Sequence, residues 1–301
     1  MRFLFVDRLL QLSSSEASVR GLKHITSTDA YLCPDLKGRL CFMPAIIGET
    51  LGQLTAWSVM AQCDFRLRPV AGIVAEARVY RPAYVGETLA LESWIDELDD
   101  TAVQYHGEVR VGNELVFSLE GALGPMLPMT DFIDPELVRR QFAEINRPGE
   151  WPLSLPTKAL DIPLTSMSEG SAHRLCFDYI TESNPGVGLT AIKKISRSAP
   201  YFPDHFPNKP VLPMTVLLEC KLNLAQEFLA RAGLTDTYSV RSLQRIKMNE
   251  FVYPGDEVSC RVTVKRQDAK ELVLSYRSEV SGKRICVVDI VLSAEDSIND
   301  E

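Results

Sequence analysis

One sequence pattern occurs twice in this chain, and the second occurrence starts about 170 residues after the first. Four pairs of segments recur in the same order: LKHITSTDAYL from Leu22 with IKKISRSAPYF from Ile192, FMPAIIGETLGQL from Phe42 with VLPMTVLLECKLNL from Val211, AYVGETL from Ala83 with VYPGDEV from Val252, and VGNELVF from Val111 with SGKRICV from Ser281. Collinear matches at a fixed offset are typical of duplicated structural units. The pattern therefore predicts two copies of one unit within the 301 residues.

Each copy is predicted to contain a strand, a proline-bearing loop, a helix of about twenty residues and then several strands. The helical segments, PAIIGETLGQLTAWSVMAQC from Pro44 and PMTVLLECKLNLAQEFLARAG from Pro213, are apolar on almost every side. A helix with this composition is expected to be surrounded by its own sheet. Between the copies, the segment from Met129 to Pro156 contains one short amphipathic helix flanked by prolines, which is typical of an interdomain linker.

Composition narrows the classes of function. The net charge of -8 argues against nucleic acid as a partner, because phosphate binding needs a basic face. The seven cysteines are scattered without a C-x-x-C pair, so we expect reduced thiols and no metal site. The N-terminal segment carries Asp7 and Arg8 within its apolar stretch, and no run reaches the roughly 18 apolar residues of a membrane span. We therefore expect a cytoplasmic protein without a membrane segment.

One loop of the second copy concentrates candidate chemistry. In PYFPDHFPNKPVLPMTVLLECKLNLAQ, which starts at Pro200, His205 stands between Phe-Pro pairs and Glu219 follows 14 residues later, within the apolar helix. An imidazole is a suitable general base near neutral pH. A carboxyl group becomes a useful proton donor when burial raises its pKa. His24, His106 and His173 lack such a setting and are interpreted as structural or solvated.

This segment resembles the active-site segment of the β-hydroxyacyl-acyl carrier protein dehydratases of the hotdog fold. Members of that family show Phe-Phe, Gly-His-Phe-Pro-Gly, Pro, then Pro-Gly and an acid two turns into the central helix. FLFVDRLLQL from Phe3 also resembles the family's opening strand, and YRPAYVGETL and FVYPGDEV resemble its strand entry after the helix. The resemblance implies an α+β double hotdog, in which each copy is an antiparallel sheet wrapped round a central helix. It implies an N-terminal hotdog over residues 1–127, a linker over 128–157 and a C-terminal hotdog over 158–301.

The resemblance implies dehydration of β-hydroxyacyl thioesters to trans-2-enoyl thioesters in fatty acid or polyketide-like biosynthesis. The acyl group would be carried on the phosphopantetheine arm of an acyl carrier protein, and no other cofactor is implied. In the family the histidine comes from one hotdog and the acid from the helix of the other. For a fused pair, this implies that His205 faces Glu49. Glu219 would face Leu36, which stands where the first copy has lost its histidine.

The identity of the acid stays open at this point. Aligning Pro44 with Pro213 leaves Glu49 one residue short of the position of Glu219, so the fit needs a deletion. Glu49 could instead be structural and hydrogen-bonded to loop amides. If the two copies pair differently, Glu219 becomes the acid.

The resemblance also suggests substrate contacts. The backbone N–H of Met214 is the implied donor to the thioester oxygen, and Phe206, Tyr201 and Phe202 are the implied contacts to the acyl group. Met214, Asp204 and Asn208 stand where the family has glycine, and a positive φ at any of these positions would be strained.

An acyl carrier protein is acidic, so an acidic enzyme is expected to concentrate cations near the mouth of its tunnel. Two basic segments of the second copy are candidate docking sites, with Lys193, Lys194 and Arg197 in the first and Arg241, Arg245 and Lys247 in the second. Other hotdog activities, such as those of a thioesterase or an enoyl isomerase, and a non-catalytic acyl-binding subunit remain alternatives. The duplication favours an internal pseudo-dimer, and further assembly is open.

Overall fold

The structure is a computed structural model that describes residues 3–13, 17–35, 38–151, 175–235 and 237–294. The first half contains β1 (Arg8–Ser13), β2 (Ser18–His24), β3 (Leu32–Pro34), β4 (Leu40–Phe42), α1 (Pro44–Gln62), β5 (Leu67–Pro69), β6 (Ile73–Val79), β7 (Ala83–Tyr84), β8 (Thr88–Leu98), β9 (Ala102–Val111) and β10 (Glu114–Pro128). A 3-10 turn (Met129–Asp131) and α2 (Pro135–Ile145) follow. The second half contains β11 (Tyr179–Asn184), β12 (Gly188–Lys194), α3 (Met214–Ala232), β13 (Tyr238–Met248), β14 (Glu257–Gln267), β15 (Glu271–Val280) and β16 (Lys283–Ala294).

The strands of both halves form one antiparallel sheet. Its order over the described residues is β1-β2-β8-β9-β10-β6-β13-β16-β15-β14-β12-β11, with β5 paired to β10. The halves meet where β6 pairs with β13, with Ala77 opposite Leu243. A smaller sheet, β3-β4-β7, lies in the first half. The strands predicted after each helix are confirmed, whereas β6 and β13 were not predicted as strands.

The two long helices are buried as their composition predicts. α1 contacts α3 and the strands β2, β8, β9 and β10. Its buried residues fall on all sides of the helix and include Leu51, Leu54, Trp57 and Val59. One continuous hydrophobic core contains residues of both halves. α3 ends at Gly233, whose φ of 70° gives the left-handed cap that glycine tolerates best.

The two helices correspond without a deletion, so the predicted one-residue mismatch is wrong. α1 and α3 both have 19 residues, and they start at Pro44 and Met214. Pro213 is the residue before α3 and corresponds to Met43. Proline suits either place, because the first N–H groups of a helix have no intrahelical partner. Glu49 and Glu219 are therefore both the sixth residue of their helices.

The helix predicted between the copies is present as α2. The side chain of Asp134 caps it by accepting a hydrogen bond from the Glu136 N–H at 2.9 Å. Phe142 packs against Trp57 and Phe65, at ring-centre distances of 6.2 and 5.4 Å, so α2 lies against the first half. Residues 152–157 of the predicted linker and 158–174 of the predicted second domain lie outside the described residues. The two predicted domain boundaries stay a prediction.

Candidate active site

A cavity of about 570 Å³ lies between the two halves. Its wall includes residues of α1, the first turn of α3, the loop that carries His205, and β5 and β6. Both His205 and Glu49 line it, whereas Glu219 does not. The volume falls within the range of about 300–1,000 Å³ of small-molecule sites. The structure thus brings the histidine of one half and the acid of the other half to the same cavity.

His205 is held as a neutral imidazole with one free nitrogen. Its Nδ1 lies 2.9 Å from the carbonyl oxygen of Val211, which can only accept, so Nδ1 carries the proton. Its ring stacks on Phe206 at a centroid distance of 4.0 Å. Burial lowers the pKa of His205 below its usual value, although the nearby charge of Glu49 acts in the opposite direction. Nε2 has no hydrogen-bond partner among the described residues and is free to accept a proton.

The Glu49 carboxylate is held from both halves. Its Oε1 accepts a hydrogen bond from Gln53 Nε2 at 3.0 Å, and its Oε2 accepts one from Thr215 Oγ1 at 2.6 Å. Gln53 is fixed in turn by the backbone N–H of Phe5 at 3.0 Å and the carbonyl of Phe3 at 3.1 Å. Thr215 belongs to the first turn of α3. This network orients the carboxylate at the cavity wall.

Glu219 has the same position in α3 that Glu49 has in α1. Its side chain accepts a hydrogen bond from the N–H of Ala45, in the first turn of α1, at 3.0 Å. It is only 3% exposed. Burial raises the pKa of Glu219 to about 7, although the Ala45 hydrogen bond acts to lower it. Leu36, the residue predicted to face it, lies outside the described residues.

The raised pKa of Glu219 predicts that the stability difference between wild type and Glu219→Gln depends on pH. Its pKa rises from an unfolded value of about 4.3 to about 7 in the fold, so the native state binds the extra proton and wild-type stability falls as pH rises through this window. Glu219→Gln removes the titration and keeps an oxygen for the Ala45 N–H. We expect the free energy of unfolding of the variant, relative to that of wild type, to rise by about 1 kcal/mol per pH unit between about pH 5 and 7. Parallel urea titrations across this range measure it, and a constant difference would contradict the expectation.

The two helices differ at two corresponding positions near their acids. Gly48 and Gly52 of α1 line the cavity. The corresponding residues of α3 are Leu218 and Leu222, which are 4% and 6% exposed. A Cβ at Gly52 would meet only the hydroxyl of Tyr105, at 3.4 Å. Two glycines four residues apart in an apolar helix were a sequence signal for the helix face that lines the cavity. The sequence prediction considered only the acid of each helix and did not use this signal.

The predicted substrate contacts divide into two groups. Met214 and Phe206 line the cavity. Tyr201 and Phe202 do not line it, which corrects the predicted contact. They are buried in the core, and their rings pack against each other at 4.6 Å. These aromatic residues therefore support the loop that carries His205.

The three residues that replace family glycines need no glycine here. Met214, Asp204 and Asn208 are absent from the positive-φ residues of the described chain. Asp204 Oδ2 accepts a hydrogen bond from the Phe3 N–H at 2.7 Å, and Asn208 Nδ2 donates one to the Thr130 carbonyl at 3.3 Å. Two of these side chains thus tie the His205 loop to the first half. Backbone strain, the concern raised by the sequence, does not arise.

Of the six predicted docking cations, only Lys247 lines the cavity. Lys193 donates to the carbonyl of Cys176 at 2.9 Å, and Arg245 pairs with Asp289. Lys194 lies 6.0 Å from the Tyr179 ring centre. Arg197 is exposed in a loop, and Arg241 is half-buried on β13. Sequence reasoning missed a different cation, Arg68 of β5, which lines the same cavity.

Sequence comparison finds similarity to dehydratases. An ApeI-like family model, described as ApeI dehydratase, matches residues 181–287. The 3-hydroxyacyl-[acyl-carrier-protein] dehydratase FabZ of Rickettsia bellii is 28% identical over 130 residues, which cover 41% of this chain and 90% of that protein. The predicted resemblance to the β-hydroxyacyl-acyl carrier protein dehydratases is confirmed. The family model spans His205 and Glu219, and Glu49 lies outside it.

Solved structures extend the likeness over nearly the whole chain. An acyl-ACP thioesterase from Bacteroides thetaiotaomicron has a TM-score of 0.52 at 13% identity and covers 93% of this chain and 99% of that one. The 12:0-ACP thioesterase from Umbellularia californica has a TM-score of 0.53 at 12% identity and covers 93% and 95%. At these identities the likeness shows the hotdog fold alone.

Two other features, a metal centre and a membrane span, are not found within the described residues. No cluster of histidine, cysteine and carboxylate side chains there could hold a metal ion. Within the same ranges, none of the helices has the length and apolar character needed to cross a membrane. All seven cysteines are free thiols, as the sequence predicts.

Proposed function

We propose that the chain dehydrates β-hydroxyacyl thioesters to trans-2-enoyl thioesters. The observation that carries the proposal is the shared cavity, which has the free Nε2 of His205 and the carboxyl of Glu49 on its wall. An elimination of water requires a base that reaches the C2 proton and an acid that reaches the C3 hydroxyl.

The proposed reaction needs no oxidant, reductant or metal. Nε2 of His205 takes a proton from C2 of the substrate, and the electron pair forms the C2–C3 double bond. In the reactive form of the enzyme the Glu49 carboxyl carries a proton, which it gives to the departing hydroxyl as the C3–O bond breaks, and the hydroxyl leaves as water. The proton on His205 then returns to Glu49, so both groups regain their starting states.

The thioester oxygen gains negative charge as C2 loses its proton. Met214 is the first residue of α3 and lines the cavity, and its backbone N–H has no acceptor among the described residues. N–H groups at the start of a helix point outward and lie at the positive end of the helix dipole. We assign this N–H as the donor to the thioester oxygen.

The architecture of the proposed enzyme is a double hotdog with one working site. Each half contributes one hotdog unit, and β6 and β13 join the two in the manner of a dimer interface. The second half supplies His205, Met214 and Thr215, and the first supplies Glu49. An acyl carrier protein is the proposed carrier, and Lys247 at the cavity is the cation best placed to meet it.

The cavity also predicts which change would restrict chain length. Gly52→Leu introduces the side chain that α3 carries at the corresponding position, Leu222, and fills part of the cavity beside Tyr105. We expect kcat/KM for long acyl chains to fall by about 10–100-fold, because the leucine occupies space that a long chain needs and one methylene in a hydrophobic pocket changes transition-state binding by about 1–3 kcal/mol. The shortest substrates should lose much less. Kinetics over a chain-length series measure the effect, and an equal loss at all lengths would contradict it.

The proposed function is tested by incubating the full chain with β-hydroxyacyl thioesters of an acyl carrier protein and analysing the acyl group by mass spectrometry. Loss of one water with a new double bond between C2 and C3 is the expected result. Release of the free acid would instead identify a thioesterase, and a moved double bond in an enoyl substrate would identify an isomerase. Tight binding without any product would identify an acyl-binding subunit.

A further inference from the structure

A half-buried cation on the wall of the acyl cavity, Arg68, has no role in the reaction described above. Arg68 lies on β5, where its backbone is held opposite Leu127 of β10. Its guanidinium carbon lies 4.1 Å from the ring centre of Phe206, and its Nη1 lies 4.0 Å from the sulfur of Met60. Neither neighbour carries a negative charge. Arg68 therefore brings a full positive charge to the wall of a mainly apolar cavity.

No carboxylate among the described residues lies within ion-pair distance of Arg68. Its Nε is buried and has no hydrogen-bond partner there. Burial lowers the pKa of Arg68 to about 10, although the charge of Glu49 acts to raise it, so the group stays protonated at neutral pH. By contrast, three other half-buried arginines of the same half pair with carboxylates: Arg39 with Asp35, Arg78 with Glu76 and Arg81 with Glu87.

A guanidinium with unused donors in an apolar cavity is costly unless a ligand supplies the acceptor. A plain alkyl chain would leave those N–H groups unsatisfied. The arginine fork matches a carboxylate, and the low dielectric of a buried site strengthens that pair. Arg68 lines the same cavity as Glu49 and His205, so an acyl chain that occupies the cavity can contact all three.

We propose that Arg68 is a specificity-determining residue that binds a carboxylate on the acyl chain. The substrates of this site would then be β-hydroxyacyl thioesters derived from dicarboxylic acids. The substrate class rests on the proposed dehydration, whereas recognition of the chain-end carboxylate by Arg68 can be tested without turnover.

The test uses two non-reactive thioether analogues of a β-hydroxyacyl pantetheine, equal in chain length, one ending in a carboxylate and the other in a methyl group. Calorimetry measures their Kd values for wild type, Arg68→Met and Arg68→Lys over a series of chain lengths. We expect wild type to bind the carboxylate analogue at least about tenfold more tightly at the best length, because charge-assisted hydrogen bonds are stronger than contacts with an apolar chain end. Arg68→Met should abolish that preference, and Arg68→Lys should keep part of it.

Lys247→Met is the matched control, because Lys247 is another cation that lines the same cavity but is exposed. It should keep the carboxylate preference. An equal preference in wild type and Arg68→Met, or a wild type that favours the methyl analogue at every length, would overturn the assignment. The corresponding β-hydroxyacyl thioesters, one with a chain-end carboxylate and one with a methyl group, are assayed for dehydration in parallel. If neither of them is dehydrated but the analogue preference depends on Arg68, the proposed reaction fails and the carboxylate site stands. If a thioester is dehydrated but wild type shows no preference for the carboxylate analogue, the proposed reaction stands and the carboxylate site fails.

Discussion

Replacing His205 by alanine or asparagine is expected to lower kcat for dehydration by about 10³–10⁴-fold, the upper part of the range for loss of a general base. Asparagine is the more informative change, because its Nδ2 can still donate to the Val211 carbonyl that now binds Nδ1 at 2.9 Å. It keeps the loop anchored while removing the nitrogen that takes the proton. Steady-state kinetics with a β-hydroxyacyl carrier-protein thioester measure the loss, and circular dichroism checks the fold.

His106→Asn is the matched control for this experiment. His106 stacks on Trp94 at 5.1 Å, and its Nδ1 lies 2.8 Å from Asp96 Oδ1, away from the cavity. Its replacement should leave kcat within about twofold, because surface substitutions are usually small in effect. In wild type, kcat/KM should fall as pH drops through a value below the ordinary 6.5 of histidine, since burial lowers the pKa of His205. If His205→Asn retained more than a tenth of wild-type turnover, another group would have to be the base.

Glu49→Gln is expected to lower kcat by about 10²–10³-fold, since an amide cannot protonate the leaving hydroxyl. The change is nearly isosteric, and the amide oxygen can still accept from Thr215, which now donates to Glu49 at 2.6 Å. KM should change little, because the substrate contacts that set binding stay in place. The same carrier-protein assay gives both constants.

Glu219→Gln provides the internal comparison, because Glu49 and Glu219 occupy the same position in α1 and α3. Glu219 caps the first turn of α1 and does not line the cavity, so we expect its variant to keep turnover within about threefold. An inactive Glu219→Gln beside a fully active Glu49→Gln would refute the pairing of His205 with the acid of the opposite half.

Much of the fold could be predicted because its constraints are local or repeated. The helices are apolar on every side, and the strands after each helix alternate between buried and exposed residues in both copies. The seam strands β6 and β13 could not be recognised in this way. In RSLQRIKMNE the charges dominate, yet Leu243 and Ile246 are buried where β13 joins the sheet. Pairing of these two strands depends on contacts between residues far apart in sequence.

The site was predictable where a motif marks it and not elsewhere. The Phe-Pro setting identified His205, and the apolar helix identified Glu49 as an acid that needs an explanation. Arg68 carries no such mark, because it reaches the cavity from a three-residue strand far from either motif. Tyr201 and Phe202 were assigned to the substrate because aromatic residues look alike in sequence whether they line a cavity or pack in the core.

The seam between β6 and β13 has a consequence for how the protein could diverge. In a pair of identical subunits every substitution appears twice, so a leucine that plugs one tunnel plugs its mate as well. Covalent fusion removes that symmetry. One helix can then keep Gly48 and Gly52 while the other keeps Leu218 and Leu222, so that each half can accept changes that suit its own part of the shared cavity and would be excluded in an identical pair.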